Sequence, residues 1–138
     1  MALTFTDVAK SISDLSFDTV TINNAASQDS AEIDFGANTY VGEITALLTV
    51  TGFAAAPSAG GYMLVKIIPL SGTGGTEYND GPGGVVLPVT ADALYDMPAI
   101  LLRPPGCRYA KLRVTNASGQ NTDANAASLS AKWLAVTV

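Results

Sequence analysis

Apolar, β-branched runs that alternate with polar residues recur along this 138-residue chain, divided by loops of Gly, Ser, Asn and Pro. A period of two marks a strand with one dry and one wet face, which is satisfied only by a sheet packed on another layer. The clearest case is residues 40–51: Ile44, Ala46, Leu48 and Val50 fall on one side, and Glu43, Thr45, Leu47, Thr49 and Thr51 on the other. Residues 109–115 repeat the pattern, with Ala110, Leu112 and Val114 inward and Lys111, Arg113 and Thr115 outward. Residues 128–138 place Leu129, Ala131, Trp133 and Ala135 on one side. Residues 62–70 are apolar on both faces apart from Lys66, as a central strand requires. Shorter runs at 19–22, 31–35, 85–89 and 99–103 complete the set, with turns or loops at 23–27 and 52–61. Residues 71–84, with six glycines and one proline, form the longest irregular stretch.

Eight such runs, with no helical period between them, predict an all-β fold: a single-domain antiparallel β-sandwich, jelly-roll or immunoglobulin-like in strand order. A chain of this length buries about two-thirds of its unfolded surface in one core. Trp133, the one tryptophan, is expected to anchor that core, its burial contributing roughly 4–6 kcal/mol gross. Residues 1–17 read differently. Phe5, Val8, Ile12 and Leu15 recur at spacings of three and four, as in a short amphipathic helix. Ser11, Ser13 and Ser16 are poor helix formers and leave an extended arm equally open. The chain therefore divides into an N-terminal arm or short helix, 1–17, and a sandwich domain, 18–138. An arm docked on a neighbouring subunit presents Phe5, Val8, Ile12 and Leu15 to it.

Equipment for chemistry is sparse. The chain has no histidine and one cysteine, so a histidine general base and a zinc or transition-metal cluster are both unexpected. Cys107, in a Pro-Pro-Gly-Cys turn, is expected to be structural, with no histidine to activate its thiol. Glu77-Tyr78-Asn79-Asp80-Gly81 lacks the order of a calcium loop. The runs Gly72-Thr73-Gly74-Gly75 and Gly81-Pro82-Gly83-Gly84 lack the Lys-Ser/Thr and helix of a phosphate cradle. No catalytic residue, cofactor or metal is assigned, and the chain is read as a non-enzyme.

A net charge of −5 argues against nucleic acid, whose affinity comes from Lys and Arg on phosphates. No apolar run nears the roughly 18 residues of a membrane helix. The N-terminal residues lack the basic and apolar regions of a secretory signal, so residence in a cytoplasm is expected. Four of the seven basic residues, Arg103, Arg108, Lys111 and Arg113, fall in one short stretch. They read either as a docking patch for an acidic protein surface or as a solvated sheet face.

One family resemblance stands out. It is carried by Thr19-Val20-Thr21-Ile22-Asn23-Asn24-Ala25-Ala26-Ser27, Ala31-Glu32-Ile33-Asp34-Phe35 and Tyr40-Val41-Gly42, then by the Pro104-Pro105-Gly106 turn, Thr115-Asn116-Ala117-Ser118-Gly119-Gln120 and Ala126-Ala127-Ser128-Leu129-Ser130-Ala131. Across residues 18–138 the chain resembles small β-sandwich structural proteins of tailed bacteriophages, of the capsid decoration or cement type. The resemblance implies a protein on the exterior of the virion, assembled in the host cytoplasm. Its implied partners are the major capsid protein and itself, a trimer being favoured. It supplies no catalytic residues. Neck, tail and fibre proteins use similar modules, and the alternatives to a decoration role are such a virion component or one of the receptor- or carbohydrate-binding sandwiches. The last display aromatics on loops, where Phe53, Tyr78 and Tyr95 stand.

Overall fold

The computed structural model describes residues 2–78, 84–104 and 106–138. Parts of the 71–84 stretch, of the Glu77–Gly81 segment, of the second glycine run and of the Pro-Pro-Gly turn lie outside the described residues. The alternating runs become β1 (Thr4–Lys10), β4 (Thr39–Val50), β5 (Tyr62–Leu70), β6 (Val85–Pro88), β7 (Tyr95–Leu102), β8 (Tyr109–Ala117) and β9 (Ala127–Thr137), joined by two short strands, β2 (Ser27–Asp29) and β3 (Ile33–Asp34).

These strands form two antiparallel sheets. The first has four strands in the order β1-β9-β4-β7; the second runs β2-β8-β5-β6, with β3 also on β8. In the first sheet no two neighbours are consecutive in sequence, so the chain passes back and forth between the layers. An immunoglobulin-like sandwich instead pairs consecutive strands within its sheets. The order seen here is that of the jelly roll.

Alternation explains the interior. Ile44, Ala46, Leu48 and Val50 of β4, Ala110, Leu112 and Val114 of β8, and Leu129, Ala131, Trp133 and Ala135 of β9 are all buried between the sheets. Trp133 meets Phe35 edge-on, with ring centroids 5.3 Å apart. Val41 and Ile44 are three residues apart yet both buried. A register shift between them, opposite Ala135 and Trp133 of β9, reconciles this. A β-bulge inserts the extra residue, so Gly42 and Glu43 both stay on the surface.

Of the two forms expected of the N-terminal segment, the extended one is seen, and it is part of the sandwich itself. No helix forms over 1–17: Thr4–Lys10 is an edge strand whose Val8 lies opposite Trp133. The spacing of three and four survives only as a turn. Ser11 N–H donates to Asp14 Oδ2 at 2.9 Å, Asp14 N–H donates to Ser11 Oγ at 3.1 Å, and Leu15 N–H donates to the Ser11 carbonyl at 3.0 Å. Leu15 and Phe17 then enter the same core as Ile44 and Leu129. A boundary at residue 17 therefore cuts through one core. Residues 19–22 likewise form no regular strand; only Val20 bridges Ala127, and Thr19 takes a positive φ of 49°.

Candidate interaction surfaces

Lys111 and Arg113 do project together from β8, as their spacing predicts. They do not make a positive patch. Arg113 lies opposite Asp29 of β2 and donates from Nε to Asp29 Oδ1 at 2.7 Å and from Nη2 to Oδ2 at 2.9 Å. Lys111 Nζ contacts the same carboxylate at 2.7 Å and also pairs with Glu77. Arg113 reaches Glu77 Oε1 at 3.0 Å. Lys111, Arg113, Asp29 and Glu77 thus form one ion-pair network on the sheet face. Hydrogen bonds from Arg113 and Lys111 hold the Asp29 carboxyl below its usual value, and Lys111 leads the same effect on Glu77. Lys111 and Arg113 already carry counter-charges on the protein's own surface.

The network also ties down residues 71–78, which follow β5. Gly74 N–H donates to Glu32 Oε2 at 2.7 Å, Tyr78 N–H donates to the Pro69 carbonyl at 2.9 Å, and Glu77 bridges Leu70. Arg108 and Arg103 stand apart from the cluster. Arg108 forks onto Asp34 at 2.9 and 3.1 Å and lies over the Tyr109 ring. Arg103 donates to the Cys107 carbonyl at 2.6 Å and the Thr39 carbonyl at 3.0 Å, with its guanidinium over Phe35. It acts as a clasp between loops.

The four N-terminal candidates also separate. Phe5 is exposed, Val8 and Ile12 are half-buried, and Leu15 is buried, which removes it from any partner contact. Among the loop aromatics, Phe53 is buried against Tyr95. The Tyr95 hydroxyl accepts hydrogen bonds from the Thr90 and Ala91 amides at 3.0 and 2.9 Å. Of the three, Tyr78 is the one that stands exposed. Cys107 is buried and its Sγ–H donates to the Tyr109 carbonyl at 2.8 Å. Burial pushes its thiol pKa up, away from reactivity.

No group of three or more His, Cys, Asp or Glu side chains among the described residues is placed to hold a metal ion. No helix among them is long and apolar enough to cross a membrane.

What the sequence reading missed is the outer face of the first sheet. Phe5, Tyr40, Leu47, Ile100, Leu102 and Leu134 all stand exposed on its strands. The signal was present as apolar residues on the wet side of alternating runs, Leu47 between Thr45 and Thr49 and Leu102 beside Leu101. Only the register brings them onto one surface. A groove of about 750 Å³ crosses this face beside the bulge, lined by Asp7, Tyr40, Gly42, Glu43, Lys132 and Leu134 among others.

No protein-family model matches the chain, and no curated relative does. Solved structures do. A structure of the infectious bursal disease virus Gx strain aligns over 99% of this chain with a TM-score of 0.58 at 13% identity. The VP2 protein of the same virus, in a mutant that forms particles, aligns over 98% with a TM-score of 0.52 at 13% identity. The chain shares the jelly-roll fold of these structures. The jelly roll here spans only about a third of the solved chains it matches, 33% and 32% respectively. At such identities the likeness concerns the fold.

Proposed function

We propose that this chain is a structural component of a virus particle, and specifically a decoration or cement protein on the capsid of a tailed bacteriophage. The observation that carries the reading is the end-to-end match of its jelly roll to virus-particle structures. The sequence resemblance to phage decoration proteins supports the finer assignment. A cement protein holds shell subunits together by many modest contacts repeated over a lattice. Low charge, an exposed apolar sheet face and a chain without histidine suit that task better than catalysis. In this reading the partners are the major capsid protein and further copies of this chain, and the location is the outside of the head.

The test is the copy number of this chain in purified virions, measured by quantitative mass spectrometry against the major capsid protein. One copy per capsid subunit, or a simple fraction of that, is expected. A number matching a single ring of subunits would move the protein to the neck or tail. Absence from particles would overturn the virion reading altogether.

A further inference from the structure

The two outer faces of the sandwich differ in kind. On the second sheet, Lys111, Arg113, Asp29 and Glu77 pair with one another, and Gly74 beyond β5 donates to Glu32. On the first sheet, Phe5, Tyr40, Leu47, Ile100, Leu102 and Leu134 are between 40% and 70% exposed. The register gathers them. Phe5 and Tyr40 both lie opposite Val136, Leu134 lies opposite Asp7, Ile100 opposite Thr45, Leu102 opposite Glu43, and Leu47 opposite Pro98. The apolar residues therefore flank the groove on both sides. Above Gly42, the bulged residue in that groove, a β-carbon would meet nothing within 4 Å.

We infer that this face is the contact between two copies of this chain, packed sheet to sheet about a two-fold axis. Area is the first ground. At their observed exposure these six side chains present roughly 700 Å², above the largest apolar patch usual on a monomer and close to one side of a standard interface. Symmetry is the second. A ring of three needs two unlike complementary patches, whereas a single patch pairs with itself only across a two-fold. The strands of the second sheet offer one strongly exposed apolar side chain among the described residues, Val86, against the six of the first. Charge is the third ground. Asp7, Glu43 and Lys132 stand on this face without an ion-pair partner among the described residues. Packed face to face, Lys132 of one copy meets the carboxylates of the other, and the Ile100–Leu102 ridge of each fills the groove of its mate. The pairing departs from the trimer that the family resemblance implies and does not rest on the virion reading.

Sedimentation velocity of the purified full chain across a concentration series tests it. The wild type is expected to dimerise, and Leu102→Glu and Ile100→Glu to weaken the dimer about tenfold or more. Both sites are exposed in the single chain, so melting temperatures measured at dilutions where the wild type is monomeric should stay unchanged. Val86→Glu, on the exposed edge of the other sheet, should leave the dimer intact. Lys132→Glu and Glu43→Lys should each weaken self-association, and a mixture of the two should restore it. A wild type that is monomeric at every concentration, or a dimer untouched by Leu102→Glu and Ile100→Glu, would overturn the proposal. So would a monomer whose binding to particles is lost with those two variants, since the face would then belong to a different protein.

Discussion

Asp29 and Arg113 face each other across β2 and β8, and the guanidinium grips both carboxylate oxygens, at 2.7 and 2.9 Å. A three-residue strand of Ser, Gln and Asp has little apolar surface to hold it in a sheet. The fork supplies a charge-assisted attachment in its place. Arg113→Met is expected to cost about 1–2 kcal/mol, because Asp29 keeps its partial burial and loses its main donor. Urea denaturation measures this. An unchanged midpoint would mean that the backbone pairing and the contacts of Lys111 with Asp29 and of Ser27 with Thr115 hold β2 without the fork.

Acid should weaken the fold through the same contacts. Asp29 and Asp34 are held below the ordinary 3.8 by hydrogen bonds from Arg113 and Arg108 respectively. Glu77 is held below the ordinary 4.5, chiefly by Lys111. The unfolded chain then binds protons at a higher pH than the folded one. Their contribution is complete above the unfolded values and is lost as pH falls through the folded ones. The denaturation midpoint should be flat from about pH 7 to 5 and decline below that, with a smaller slope in Asp29→Asn. A midpoint as high at about pH 3 as at neutrality would refute the linkage.

Trp133 is the largest side chain in β9 and its ring meets Phe35 edge-on. Replacement by alanine removes that contact and leaves a cavity that the surrounding sheets close only in part. Trp133→Ala is expected to destabilise by about 3–5 kcal/mol. Thermal unfolding followed by circular dichroism tests this, and a melting temperature within a couple of degrees of wild type, roughly under 1 kcal/mol, would place the indole outside the core.

Gly61 shows where backbone sets the limit. A β-carbon there would lie 2.6 Å from the Ser118 carbonyl oxygen and 2.9 Å from that of Ser58. The Ser58 and Ser118 segments are themselves joined by a backbone hydrogen bond of 2.8 Å, so neither moves freely. Gly61→Ala is expected to cost about 1–3 kcal/mol. Gly60→Ala beside it meets no such crowding, although its φ of +76° adds strain of its own. Equal losses at the two positions would show that crowding at Gly61 is relieved by a shift of the loop.

The inward faces of β4, β8 and β9 were legible because periodicity is local: each strand alone reveals its dry side. The polar β2 was not, because Ser27, Gln28 and Asp29 carry no apolar signal and their partner lies 84 residues away. Val8 and Leu15 mimicked one helix stripe although one sits in a strand and the other in the turn that follows. The basic residues were found on the correct face, but their neutralisation by Asp29 and Glu77 depends on tertiary placement. The same is true of the apolar outer surface, where Leu47, Ile100 and Leu134 come from three different strands. Sequence pattern gives the direction of a side chain, and register alone gives its company.

β9 lies between β1 and β4, with Thr137 set against Thr4 on one side and Thr39 on the other. During synthesis, at about 5–20 residues per second, both flanking strands emerge well before the one that separates them. Through that interval the first sheet has a gap at its centre, and β1 has nothing to dock on. Its closure waits for a strand encoded more than a hundred residues downstream, a connection long enough to make folding slow. Without β9, the buried Ile44, Ala46 and Leu48 of β4 would lack their partners Trp133, Ala131 and Leu129, and the centre of the first sheet would be missing.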